Sequence, residues 1–147
     1  MKTIFINTDG GSRGNPGPAA IGVVFSDEAG NIIHTHKEYI GKATNNEAEY
    51  QALIRACEIL GKSKWLKEND GNGGEVVCRL DSKLVVEQLG GNYKIKQDHL
   101  RELIDKIKNF VQTHKIRISF IHVPREQNKL ADKLVNEALD EAARTRK

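Results

Sequence analysis

No run in the 147-residue chain approaches the ~20 apolar residues that a membrane-spanning helix needs. A membrane is therefore not expected among its partners. The apolar stretch Met1–Ile6 is too short for a secretory leader and runs straight into Asn7-Thr8-Asp9. There are only two cysteines, Cys57 and Cys78. They are not spaced as C-x-x-C, and both lie in apolar segments. Buried, reduced thiols in a cytoplasmic protein are the expectation, with a structural disulfide as the alternative. The five histidines, at positions 34, 36, 99, 114 and 122, are scattered, and no His/Cys cluster has zinc-ligand spacing. No internal repeat or low-complexity block is present. Charge of one sign is also scarce: the formal net charge is +3. That permits a polyanionic partner without demanding one.

What is present is an ordinary globular composition, 38% hydrophobic and 29% charged, at a length that suits one domain over residues 1–147. Lys2–Thr8 reads as a strand, followed by a turn-rich loop from Gly10 to Pro18. Ala20–Ser26 and Ile32–Tyr39 read as a hairpin about Asp27–Asn31. After Thr44-Asn45-Asn46 the stripe Leu53, Ala56, Leu60 has helical spacing, fading near Lys64. Lys67–Gly74 reads as a flexible polar loop. Glu75–Leu80 reads as a buried strand parallel to the first. Ser82–Leu89 is a short helix stopped by Gly90-Gly91, and Gln97–Thr113 a longer one. Ile116–Val123 is the fifth strand. A last helix starts near Asn128, and Arg144–Lys147 reads as a frayed tail. The order βββ-α-β-α-α-β-α predicts an α/β fold. Its five-stranded mixed sheet has three antiparallel strands, then parallel ones, with helices on both faces.

Four carboxylates stand out against this frame. Asp9 and Asp81 each end a strand, so parallel neighbours would project both from one edge, where open α/β sheets place their sites. Helical phase puts Glu49 on the inward stripe with Leu53, and Glu47 on the solvated face with Gln51 and Arg55. An unpaired inward carboxylate is costly, and a bound cation would supply its partner. Asp132, in the first turn of the last helix, has a helix-dipole role as its alternative, worth ~0.3–1 kcal/mol. Crowded acids repel one another unless a hard divalent ion resolves them. Mg²⁺ suits an all-carboxylate site shared with phosphate, and Mn²⁺ fits the same oxygens.

The residues that carry a family resemblance are Thr8-Asp9-Gly10-Gly11-Ser12 with Gly14-Asn15-Pro16-Gly17, then Thr44-Asn45-Asn46 with Glu49, Asp81-Ser82, and Asn128 with Ala131-Asp132. In this order and at these distances, the chain resembles ribonuclease HI over essentially its whole length. The resemblance implies two Mg²⁺ ions held by Asp9, Glu49, Asp81 and Asp132. It implies hydrolysis of the RNA strand of RNA–DNA hybrids, leaving 5′-phosphate and 3′-hydroxyl ends. Substrate contacts carry over to Gly10, Gly11, Ser12, Asn15, Thr44, Asn45, Asn46 and Asn128, with 2′-hydroxyl reading by Gly11, Asn15, Asn45 and Asn46. Helix capping is the compatible alternative for the asparagine pair.

Two departures from the family pattern are visible. The loop before the last helix, Val123–Gln127, has no histidine; His122 belongs to the strand. Arg125 in that loop would steady a phosphate or be a solvated loop residue. A basic, Trp-rich protrusion is also missing, and Gly90–Lys96 takes its place. Lys94 and Lys96 there would touch phosphates, or form a charged turn. Trp65, at a helix end, reads as packing. Short members of this kind resemble archaeal-type and reverse-transcriptase-like proteins, some of which act on double-stranded RNA. A monomer is expected. The competing readings are a non-catalytic hybrid-binding module, a structural α/β protein, and a related nuclease for junctions or editing.

Overall fold

A computed structural model describes residues 1–91 and 97–145. Lys94 and Lys96, singled out from the sequence, lie outside the described residues, as do residues 146 and 147. The sheet has five strands in the order β3-β2-β1-β4-β5. They are β1 (Thr3–Ser12), β2 (Gly17–Ser26), β3 (Ile32–Ala43), β4 (Glu75–Leu80) and β5 (Arg117–His122). β1, β2 and β3 pair antiparallel, while β4 runs parallel to β1 and β5 parallel to β4. The helices are α1 (Asn45–Gly61), α2 (Lys64–Asn69), α3 (Lys83–Leu89), α4 (Asp98–Thr113) and α5 (Lys129–Thr145), with a single 3₁₀ turn at Arg125–Gln127.

Strand alternation divides the core between two faces. Ile4, Ile6, Val23, Phe25, Val76, Cys78 and Leu80 face one way and pack with Tyr50, Leu53, Ala56 and Leu60 of α1 and Leu100, Ile104 and Ile107 of α4. Ala20 and Val24 face the other way, onto Val135, Ala138, Ala131 and Leu134 of α5. The predicted class is observed: a five-stranded mixed sheet of three antiparallel strands, then parallel ones, with helices on both faces.

Several elements differ from the sequence reading, β2 among them, which begins at Gly17 rather than Ala20. β1 does not stop at Thr8: Gly10 and Gly11 stay in register with Ile21 and Ala20 of β2. A glycine pair keeps its backbone ladder, so it need not end a strand. β3 runs past Tyr39 to Ala43 by way of an irregularity at Ile40–Gly41, where Gly41 has φ +81°. α2 occupies part of the expected polar loop. It is capped by Ser63, whose side chain accepts from the Leu66 N–H, and it buries Trp65 and Leu66. Six residues are too few for a periodic signal. The last helix continues through Thr145, where a frayed tail is expected from Arg144.

Candidate active site

The last paired residues of β1 and β4 are Thr8 and Leu80, so Asp9 and Asp81 are each the next residue at the same sheet edge. Asp9 pairs across to Gly22 of β2. Glu49 comes from the first turns of α1, Asp132 from the first turn of α5. Two glycines bring these helices close. A Cβ on Gly10 would lie 2.2 Å from the Ala48 carbonyl oxygen and 2.6 Å from the Glu49 nitrogen. A Cβ on Gly22 would lie 2.3 Å from the Ala131 carbonyl oxygen. Both clashes are with helix backbone, so any side chain there pushes a helix away. One glycine admits α1 on one face; the other admits α5 on the opposite face.

Asp9, Glu49 and Asp81 offer carboxylate oxygens that all lie within 4.8 Å of one another. Asp132 lines the same cleft and acts on the Asp9 carboxyl, standing beside this trio rather than within it. Asp9 and Glu49 are each 7% exposed. Burial first, then the charge of Asp81, pushes the Asp9 carboxyl up to about 7. Burial, then Asp9 and Asp81, raises Glu49 well above the carboxylate range. The hydrogen bond between the two side chains lowers Asp9 and raises Glu49, while the Gly10 N–H, donating to Glu49, holds it down. Glu49 Oε2 is buried with no hydrogen-bond partner. An all-oxygen trio with an orphaned buried oxygen fits a hard divalent cation, which would be the missing partner.

The expected residues Gly10, Gly11, Ser12, Asn45 and Arg125 line the cleft together with the four acids. The Asn45 Oδ1 accepts from the Ser12 N–H at 2.9 Å and the Ser12 hydroxyl at 3.2 Å. Asn15, Thr44, Asn46 and Asn128 are not in its lining. Asn15 Oδ1 accepts from the Asn45 N–H at 3.0 Å, holding the loop to the start of α1. Thr44 is the N-cap in a reciprocal box: its hydroxyl accepts from the Glu47 N–H, and Glu47 Oε1 accepts from the Thr44 N–H. Glu47 is therefore half-buried at the cap rather than free on a solvated face. Asn46 is half-buried in the first turn of α1.

Asn128 departs most from expectation. It is 1% exposed, donating from Nδ2 to the Thr8 carbonyl at 2.9 Å and accepting at Oδ1 from Asn7. Its own carbonyl accepts from the Asp132 N–H at 3.1 Å. It thus ties the first turn of α5 to the residue before Asp9, which gives it a bracing role. A second brace lies beneath Glu49, where the Tyr50 hydroxyl donates to Gln88 Oε1 at 2.5 Å, joining α1 to α3.

Sequence reading gives no site role to Arg13, Ser82 or Asn136, which also line the cleft. Asn136 was findable, since it lies one helical step of four from Asp132 and donates back to its carbonyl. His122 ends β5, as expected, and is exposed. Trp65 is buried and donates from Nε1 to the Met1 carbonyl at 2.7 Å, so it packs. Cys78 is buried, Cys57 half-buried, and both are free thiols; burial pushes Cys57 up to about 12.

Comparison with known proteins places this geometry in a family. A family model described as reverse transcriptase-like matches residues 7–138. A ribonuclease HI of Halobacterium salinarum is 42% identical over 134 residues, 91% of this chain and 63% of that protein. A bifunctional protein of Mycobacterium tuberculosis is 40% identical over 146 residues, covering 99% of this chain. The chain spans only 37% of that protein's length. Among solved structures, LC11-RNase H1, isolated from compost by a metagenomic approach, is 49% identical with a TM-score of 0.88, covering 97% of this chain and 99% of that one. The same protein has been solved in complex with an RNA/DNA hybrid, with a TM-score of 0.86 to this chain. On fold, site geometry and relatedness together, this chain belongs to the ribonuclease H1 family.

Proposed function

We propose that the chain is an endonuclease that hydrolyses the RNA strand of RNA–DNA hybrids, with divalent ions held by Asp9, Glu49, Asp81 and Asp132. The observation that carries this reading is the buried trio of Asp9, Glu49 and Asp81, with an unpartnered Glu49 oxygen, at the sheet edge. A family member solved with an RNA/DNA hybrid supports the substrate class.

The donor set divides into two groups sharing Asp9. Asp9, Glu49 and Asp81 would hold one ion; Asp9 and Asp132 would hold a second. Divalent ions held there would supply electrostatic stabilisation of both the attacking and the leaving oxygen in an in-line displacement. Mg²⁺ is the proposed ion, and Mn²⁺ meets the same oxygen requirement. Water adds to phosphorus, the P–O3′ bond breaks, and the departing oxygen takes up a proton. The ends are then a 5′-phosphate and a 3′-hydroxyl.

The chain's own groups do the positioning. The Gly10 N–H orients the Glu49 carboxylate. The Asn45 oxygen is occupied by Ser12, so its amide NH₂ is the donor left for a 2′-hydroxyl. Arg125 in the cleft lining is a phosphate contact in this reading, as are Lys94 and Lys96 beyond the described residues. Free thiols at Cys57 and Cys78 suit a reducing compartment such as the cytoplasm. Cleavage of a strand-labelled hybrid tests the proposal, with double-stranded RNA as a second arm. Metal-dependent cutting confined to the RNA strand is expected. Hybrid binding without cutting under Mg²⁺ or Mn²⁺ would make the chain a binding module.

A further inference from the structure

The floor of the cleft is acidic, and an acidic floor repels a polyanion. Among the described residues lining it, only Arg13 and Arg125 carry positive charge. Arg125 belongs to the turn that precedes α5. Arg13 stands on the loop after β1 and reaches the same helix further along. Its Nη2 lies 2.8 Å from Asp140 Oδ1 and 3.5 Å from Asn136 Oδ1. Asp132, Asn136 and Asp140 follow one another at intervals of four, so they form one row on α5. That row starts at the acid cluster and extends about 12 Å from Asp132 to Asp140 at 1.5 Å per residue. The carboxylates thus lie between a cation before the helix and a cation along it.

The Arg13–Asp140 pair is solvent-accessible, with side chains 46% and 56% exposed. An exposed pair of this kind is weakly held and readily exchanged. Asp140 is thus an occupant that a stronger anion can replace. A phosphate accepts the same fork of N–H donors.

Resting on the hybrid-nuclease reading, we propose that Arg13 is a substrate-binding residue that grips a backbone phosphate away from the scissile bond, and that Asp140 holds it in place until the phosphate takes over. Position sets the reach: about 6–12 Å along the helix row corresponds to roughly two to four nucleotides of strand rise. Arg13 is a binding residue in this account, not a group acting at the reacting phosphorus. Asp140 both orients the guanidinium and competes for it.

The test is binding of a fluorescently labelled RNA–DNA hybrid, read by anisotropy over a series of KCl concentrations. It uses the full chain with Mg²⁺ in an Asp81→Asn background, so that the strand stays intact. Arg13→Ala should raise Kd about fivefold. It should also flatten the log Kd against log[KCl] slope by about one contact. Arg13→Lys should restore the slope, which separates loss of a phosphate contact from a folding defect. Asp140→Asn should tighten binding, and that gain should vanish when Arg13 is already alanine. An unchanged slope in Arg13→Ala, with hybrid still bound by the parent, overturns the proposal and leaves the nuclease reading standing. So does an Asp140→Asn gain that persists without Arg13, since it would reflect removal of a negative charge alone. No binding of the hybrid by the parent overturns both.

Discussion

Glu47 and Glu49 are two residues apart on α1, and the helix sends them to different neighbours. Glu49 is aimed at Asp9 and Asp81, whereas Glu47 closes a capping box with Thr44. Glu49→Gln should abolish cleavage in a hybrid assay. Glu47→Gln should leave it near the parent rate, because glutamine also serves at that box position. Glu47→Ala should cost stability, about 0.5–1 kcal/mol, without a matching loss of turnover. The reverse pattern would mean that the helix face is assigned wrongly. Proton linkage gives a second expectation. Asp9 ionises near 3.8 when unfolded and near 7 when folded, and Glu49 is raised too. At these two groups the folded state therefore binds more protons, so the cluster's contribution to metal-free stability is greatest in acid and is lost as pH rises from about 4 to 7. Asp81→Asn should raise the metal-free Tm at neutral pH and shrink this slope, and Mg²⁺ should also shrink it for the parent. A metal-free Tm that climbs over the same range would contradict the crowded cluster.

At the level of elements, two helix approaches and one brace assemble the site. Gly22 is opposite Asp9, and its missing Cβ makes room for the Ala131 carbonyl of α5. Gly22→Ala should push α5 outward, costing about 1–3 kcal/mol as an overpacked contact. It should also lower turnover, since Asp132 moves with the helix. Thermal unfolding and hybrid cleavage on the same preparation check both; an unchanged Tm and rate would show that α5 has slack. Much of this was legible in advance. The inward phase of Glu49, the strand-end position of Asp81 and the parallel β1–β4 pair all follow from local periodicity and strand ends. The roles of Gly10 and Gly22 were not, because both depend on helices distant in sequence. At Asn128, position in the motif cannot tell a brace from a ligand. Only the packed structure shows its amide spent on Thr8 and Asn7. α2 was missed because one short turn anchored by Ser63 and Trp65 carries no repeat.

The whole molecule combines a small net charge of +3 with an acidic cleft rimmed by arginines. Such a surface attracts nucleic acid through a few local contacts rather than a broad positive field, so binding should weaken with salt only as steeply as those few phosphates require. The mixed sheet makes the site possible by ending β4 where Asp81 meets Asp9, and by accepting a helix on each face. The description as a metal-dependent hybrid nuclease rests on that convergence. Its most direct test is cleavage of a labelled RNA–DNA hybrid with Mg²⁺, by the parent and by Asp81→Asn, beside RNA–RNA and DNA–DNA duplexes. The account predicts cutting of the hybrid's RNA strand by the parent, none without the metal, and none by the variant. Equal cutting by Asp81→Asn, or cutting by the parent in the presence of a chelator, would contradict it.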